Sequence, residues 1–321
     1  MILTVTVNAA VDKTLTVANL QLGHRHRAQQ RLAMPGGKGI NVARALRRLG
    51  EPVIATGLAG GRAGTQITAG LDAEGIVNDF VQIAAESRTS TAVVDPTSGL
   101  QTEINEYGPE VAPEEIAALL DRVRYLSGAV STVVLAGSLP RRVETSFYAE
   151  LIRELNRRKV ATAVDTEGEP LRLALAAEPA FVFPNQREAE ALVGNEFQTD
   201  EDFQAGLVTI AAMGAGAVLV TLKTGCYALL QEGKGRRHLY RAWIPRIESV
   251  SAVGSGDAFL AGFLFAQQAG QGPEQCLRQG LACGAANTQV VGAGVFDPRD
   301  VTRFAAMVEV QEISGTAVRA L

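Results

Sequence analysis

Short runs rich in β-branched residues alternate with helix-periodic segments along most of the chain, and this rhythm restricts the fold more than any other feature. "ILTVTVN" (2–8) reads as a buried strand. "INVARALRRLG" (40–50) carries Ile40, Val42, Ala43, Leu46 and Leu49 at helical spacing, with Gly50 as its stop. "PVIATGL" (52–58) is again a strand, and "PEEIAALLDRVRYL" (113–126) is a helix opened by Pro and two acids, as the helix dipole favours. Strands over 132–137, 160–166 and 216–222 interleave with helices over 145–159, 185–194 and 200–214. Two apolar helices, 256–269 and 273–290, close the last third. Such alternation builds right-handed βαβ units, hence a mainly parallel sheet with helices on both faces.

Two stretches leave the rhythm. Residues 10–33 and 87–107 are polar, β-like and poor in helical signal, and "TSTAVVDPTSGLQTEIN" (89–105) reads as a hairpin with Asp95-Pro96 and Ser98-Gly99 in its turn. Both read as excursions from one edge of the sheet into a small β-lid. The expected organisation is therefore one α/β domain over 1–321 carrying that lid.

Composition narrows the partners. With 47% hydrophobic and 20% charged residues the chain can bury a large core, and its formal net charge of -4 argues against nucleic acid. Its longest apolar stretch, about nine residues, is too short for a membrane span. The N-terminus reads as a strand and not as a signal peptide. Three cysteines without a CxxC pair suit a reduced cytoplasm. His24 and His26 share one face of a lid strand, but no further ligands cluster with them.

Two glycine clusters carry the chemistry. There is no GxxxxGK[ST], and "GSGDAF" has Phe259 where a dinucleotide fingerprint needs its third glycine. "PGGKGINVA" (35–43) places glycines and Lys38 before an amphipathic helix, which allows close backbone approach to a ligand or simply a tight strand-to-helix turn. "SAVGSGDAFLAGFLFA" (251–266) sets Asp257 at the mouth of an apolar helix. Free N–H groups and the helix dipole at Gly254, Ser255 and Gly256 suit a phosphate, and Asp257 beside them suits activation of a hydroxyl. Asp257 could equally be only a cap. A third pair, Asn185 and Glu188, sits one turn apart and could form a capping box, a ligand site, or both.

Taken together, these motifs resemble the PfkB, or ribokinase-like, family of carbohydrate kinases over nearly the whole chain. "PGGKGINVARALRRLG" is similar to the family's N-terminal signature. "VGSGDAFLAGF" is similar to its C-terminal one, with Ser255 in place of the usual alanine, and "NQRE" to its NxxE motif. "VNAAVDKT", "TEINEYGPEV", "LAGSLPRRV" and "VDTEGEPL" resemble the hexose-phosphate kinase branch, which includes 1-phosphofructokinases and tagatose-6-phosphate kinases. The resemblance implies a three-layer αβα sandwich with a mainly parallel central sheet and a β-lid. It also implies ATP-dependent phosphorylation of a ketohexose monophosphate to the 1,6-bisphosphate, with fructose 1-phosphate as the leading acceptor and tagatose 6-phosphate or fructose 6-phosphate as alternatives.

The implied roles follow the matched motifs. Asp257 is the base, and the Gly254, Ser255 and Gly256 amides stabilise the transferring phosphoryl group. Asp12, Asn41 and the Gly36 and Gly37 backbone hold the sugar, while Lys38, Arg88 and Arg27 clamp its phosphate and Ser138 lines the same pocket. Asn185, Glu188, Thr221 and Gly225 serve ATP, with Glu188 holding Mg²⁺ through water. The lid implies a homodimer, to which Ala92, Val94 and Leu100 would contribute. "TLKTGCY" (221–227) is shorter than the family's usual nucleotide loop, and Phe183 stands where some relatives carry lysine. A non-catalytic sugar-phosphate-binding regulator is the rival from another class; retention of Asp257 argues against it.

Overall fold

The computed structural model describes residues 1–232, 236–313 and 318–319. In chain order it runs β1 (Ile2–Thr6), β2 (Ala10–Thr16), β3 (Gln30–Gly36), α1 (Lys38–Leu49), β4 (Val53–Gly60), α2 (Gly61–Ala73), β5 (Val77–Asn78), β6 (Val81–Ile83), β7 (Arg88–Asp95), β8 (Leu100–Asn105) and α3 (Pro113–Leu126). It continues through β9 (Thr132–Ala136), α4 (Phe147–Arg157), β10 (Ala161–Asp165), α5 (Gly168–Leu175), β11 (Phe181–Val182), α6 (Gln186–Val193), α7 (Asp200–Ala212), β12 (Ala217–Thr221), β13 (Gly225–Glu232) and β14 (Arg236–Trp243). α8 (Ser255–Gln268), α9 (Pro273–Asn287), α10 (Pro298–Ala305), β15 (Glu309–Glu312) and β16 (Val318–Arg319) complete it.

The large sheet follows the order β15-β14-β13-β12-β11-β10-β9-β1-β4-β5. Its pairs from β4 to β12 are parallel, and β13, β14 and β15 extend it antiparallel. Because successive strand side chains point to opposite faces, the buried strands feed two cores. Ile2 packs with Leu46, Leu260 and Leu277 of α1, α8 and α9 on one side. Leu3 packs with Leu119, Leu151 and Ile210 of α3, α4 and α7 on the other. No described helix is long and apolar enough to cross a membrane.

The second sheet has the order β3-β2-β7-β8. β7 and β8 form the expected hairpin, with Gly99 at φ 70° in its turn, where a side chain would be strained. β3 runs on to Gly36, three residues past the expected end of the first excursion, and delivers the chain directly into α1. Ala92 shares a face with Ser90 and Glu103, on the side turned to the cleft described below, and Val94 follows it on that face. Neither Ala92 nor Val94 therefore stands out as an outward dimer contact; the exposed apolar side chains of the hairpin are Leu100 and Ile104.

Some boundaries and elements differ from the sequence expectation. α2 is not legible in the sequence because "GRAGTQITAGLDA" spends three of its positions on glycine, which weakens both periodicity and propensity. The stretch around Tyr240 and Trp243 forms β14, an inner strand, since β13 pairs on one side and β15 on the other. β1 ends at Thr6, and α9 stops at Asn287 instead of running to 290.

Candidate active site

In an open α/β sheet ligands gather at the carboxyl ends of the strands, where neighbouring connections diverge. β1 is such a point, with β4 on one side and β9 on the other. A cleft of about 400 Å³ opens at the carboxyl ends of the neighbouring strands, between the sheet and the lid. Asp165 at the end of β10, Asn185 just after β11 and Thr221 at the end of β12 line it from the sheet. Asp12, Arg88, Ser90, Glu103 and Asn105 line it from the lid. Pairings of Ala10 with Arg88, Asp12 with Ser90 and Ser90 with Asn105 put these lid residues on one face.

Asp257 lies in the first turn of α8, buried, with Oδ2 accepting the Asn41 Nδ2 hydrogen bond at 2.8 Å. Burial, then the neighbouring Asp165 charge, pushes its carboxyl up to about 7, against the pull of Lys38 and Asn41. Such a value suits a group that must accept a proton near neutrality. α8 is almost wholly apolar behind it: Phe259 and Phe263 meet the Phe183 ring edge-on at 6.2 and 5.6 Å. Phe183 therefore anchors the helix that carries Asp257, in the position where some relatives place a charge.

The helix mouth is held open by backbone geometry. Gly254 is the N-cap in left-handed conformation (φ 77°), and a Cβ there would come within 2.5 Å of Ala293. Asn287, fully buried, donates to the Val253 carbonyl and accepts from the Gly294 N–H, both at 2.7 Å. That amide ties the 251–254 turn to 292–294. The Ser255 N–H donates to the Ala252 carbonyl at 3.2 Å, so it is not a free member of the expected anion cradle. The first-turn amides of Gly256 and Asp257 have no acceptor one turn back, as at any helix start.

At the lid end, Asp12 is buried deeply enough to hold its carboxyl up at about 6, opposed by Arg88, Arg44 and the Gly37 N–H. A Cβ at Gly36 would overlap the Asp12 carboxylate, so a side chain there would push Asp12 from its place. Arg88 is half-buried and donates through Nε to the Asn8 carbonyl at 3.3 Å. At the other end Lys38 Nζ donates to Asp165 Oδ1 at 2.6 Å. Burial alone would lower its pKa, but the Asp165, Asp257 and Glu188 carboxylates together raise it. Lys38 thus sits among carboxylates near the base, in the same cleft that Arg88 lines from the lid.

Asn185 and Glu188 form a reciprocal capping box: Asn185 Oδ1 accepts the Glu188 N–H at 3.0 Å, and Glu188 Oε2 accepts the Asn185 N–H at 2.9 Å. Burial raises the Glu188 pKa, with Lys38 opposing. Asn185 also bridges to Thr221, whose N–H donates to the Pro184 carbonyl at 3.0 Å. A second pocket of about 690 Å³ lies beyond, lined by Thr221, Lys223, Gly225, Ser255, Phe259 and Ala285 among others. The two cavities share Thr221, Ala252 and Gly256, so they meet at the mouth of α8.

Three sequence candidates for the sugar, Gly36, Arg27 and Ser138, are not among the cleft-lining residues. Gly36 is buried against Asp12. Arg27 is exposed in the connection between β2 and β3. Ser138 is exposed too, its hydroxyl accepting the Asn8 Nδ2 at 3.0 Å. Conversely, the sequence reading assigns no role to Asp165, Ser90, Glu103, Asn105 or Asn287, although "VDTEGEPL" contains Asp165 and "TEINEYGPEV" contains Glu103 and Asn105. Asp165 ends a strand, a signal that could have marked it; the lid polar residues and Asn287 become visible only through pairing and burial.

Comparison with known proteins decides the family. The family model described as "pfkB family carbohydrate kinase" matches residues 4–299. The chain belongs to the pfkB family of carbohydrate kinases. It is 30% identical over 313 residues to a 1-phosphofructokinase of Borreliella burgdorferi, covering 98% of this chain and 99% of that one. Its fold is similar to that of a possible 1-phosphofructokinase from Thermotoga maritima (TM-score 0.89, 26% identity, 98% and 100% of the two chains). It is also similar to phosphofructokinase-2 from Escherichia coli in complex with substrates and products (TM-score 0.87, 27% identity, 95% and 98%). This pfkB kinase is therefore a sugar-phosphate kinase, a phosphotransferase built on the ribokinase-type αβα fold.

Proposed function

We propose that this kinase transfers the γ-phosphoryl group of ATP to fructose 1-phosphate, giving the 1,6-bisphosphate. The observation that supports this most is the meeting of the two cavities at the α8 mouth, with Asp257 on the acceptor side. ATP occupies the pocket lined by Thr221 and Gly225, and the ketohexose phosphate lies under the lid. Asp12 binds sugar hydroxyls and Arg88 its phosphate. The acceptor hydroxyl oxygen attacks the γ-phosphorus, the bond to the ADP oxygen breaks, and the hydroxyl proton passes to the Asp257 carboxylate. The Gly256 and Asp257 amides, with Lys38, meet the charge on the moving phosphoryl oxygens, since such transfer relies on positioning and electrostatics.

Mg²⁺ fits the donor set. Glu188 and Asp165 each keep one carboxylate oxygen clear of their Asn185 and Lys38 partners, and a cation that retains several waters suits two such partly committed carboxylates. Bound there with ATP, it would supply charge neutralisation on the phosphates. Among the described residues no group of three or more His, Cys, Asp or Glu gathers as a protein-only metal site. The exposed Leu100 and Ile104 of the lid support a homodimer through that sheet, and three buried free cysteines suit the reducing cytoplasm.

A side-by-side comparison of kcat/KM for fructose 1-phosphate, fructose 6-phosphate and tagatose 6-phosphate tests the reading. Fructose 1-phosphate should be the best acceptor. Higher efficiency with a 6-phosphate would reassign the acceptor, and no ADP release with any of the three would remove the kinase reading for this site.

A further inference from the structure

We propose that Arg44 is a positioning residue for the phosphoryl-transfer base, acting through Asn41. This rests on the reading of Asp257 as that base. Arg44 lies one turn after Asn41, midway along α1, and is only 3% exposed. Its guanidinium donates from Nη1 to Asn41 Oδ1 (3.1 Å) and to the Ala293 carbonyl (2.9 Å). Nη2 donates to the Pro35 carbonyl (2.6 Å) and Glu74 Oε1 (3.1 Å), and Nε to Glu74 Oε2 (2.5 Å). A guanidinium carries five N–H donors in a fixed plane, and all five have acceptors here.

The consequence falls on Asn41. Its amide has an acceptor end and a donor end, and it stands between a cation and a carboxylate. With Oδ1 on Arg44, Nδ2 faces Asp257, as observed. Turned over, the amide would set N–H against guanidinium N–H and carbonyl against carboxylate. Arg44 therefore selects the one orientation in which Asn41 holds Asp257 Oδ2, leaving Oδ1 for the acceptor hydroxyl. The same guanidinium grips the Ala293 carbonyl, and Ala293 packs against Gly254 at the helix mouth. One buried cation thus registers α1, the 292–294 turn and the base. A role confined to stability would need none of this coupling to Asn41.

The test is a double-mutant cycle of Arg44→Lys and Asn41→Ala with fructose 1-phosphate and ATP, alongside the exchange rate of the Asn41 side-chain amide measured by ¹⁵N NMR. Lysine keeps the charge but loses the planar fork. Arg44→Lys should lower kcat by about tenfold or more with the ATP KM changed less than about twofold. In the Asn41→Ala background the same substitution should cost less than about twofold further. The Asn41 amide peaks, identified by their loss in Asn41→Ala, should exchange at least about tenfold faster in Arg44→Lys. Losses that multiply in the double variant, or an unchanged amide, would overturn the proposal. If wild-type protein showed no turnover the kinase reading would fail alone, and amide exchange would still decide whether Arg44 holds Asn41. Should Arg44→Lys not fold, Glu74→Gln takes its place: it loosens the far edge of the guanidinium and should speed the same exchange, and no change there would equally overturn the proposal.

Discussion

Replacing Asp257 by Asn should make the protein more stable as it makes it inactive, and the gain should grow with pH. The carboxyl is buried and raised from an ordinary value of 3.8 to about 7. Between those two values the native state binds more protons than the unfolded state, so wild-type stability falls as pH rises through that window. The contribution is complete below the unfolded value and lost once pH passes the folded one. A rise of that size is worth about 4 kcal/mol, of which roughly 2–3 kcal/mol develops between pH 5 and 8.5. Asparagine keeps an acceptor for the Asn41 Nδ2 and removes the charge, so the variant should escape this loss. Paired denaturant unfolding of wild type and variant at pH 5, 6, 7 and 8.5 isolates the difference, because the other ionisable groups are common to both. The variant's advantage should widen by roughly 2–3 kcal/mol across that series. A constant difference, or one that shrinks with pH, would refute a strained buried carboxylate at the helix mouth, and with it the physical basis for calling Asp257 a poised base.

Other expectations follow from the same geometry. Because the base must be ionised to accept a proton, kcat/KM should fall on the acid side of about pH 7, with Asp12, held near 6, steepening the decline at lower pH; a flat profile from pH 5.5 to 8 would contradict this. Arg88→Ala should raise the KM for the sugar phosphate by about 10–100-fold, the ~1.5–3 kcal/mol of a charge-assisted contact, with a smaller change in the KM for ATP; steady-state kinetics in both substrates will show it. Gly254→Ala should lose most activity and about 1–3 kcal/mol of stability, since the new side chain meets both a left-handed backbone and Ala293; full activity at unchanged Tm would show that the turn can yield.

The fold was legible where periodicity is strong. The helix over 113–126 forms over the same residues as the pattern indicates, and the hairpin turns at Pro96–Gly99 because Gly99 adopts the conformation glycine favours. α2 was hidden by its glycines, and the burial of β14 depends on a strand contributed from some 66 residues away in sequence (Trp243 pairs with Glu309). The site divides in the same way. Asp12, Lys38, Asn41, Arg88, Asn185, Glu188 and Asp257 belong to local motifs, and the strand ends collect them into one cleft. Nothing in the sequence marks Arg44, because the carbonyls and carboxylate that satisfy it come from three other segments. Lys38 looked like a free cation, because its partner Asp165 is 127 positions away. Local spacing reveals which groups can do chemistry; only the packed chain reveals which charges are already matched.

The central claim is that the α8 mouth moves a phosphoryl group from ATP to a ketohexose phosphate with Asp257 as base. Single-turnover transfer from γ-³²P-labelled ATP to fructose 1-phosphate, run with wild type and Asp257→Asn, tests it most directly. Wild type should place the label on the sugar as the 1,6-bisphosphate, and the variant should bind ATP yet be slower by at least about 10²–10⁴-fold. Label that never leaves ATP in the wild type, or near-normal transfer by the variant, would contradict it.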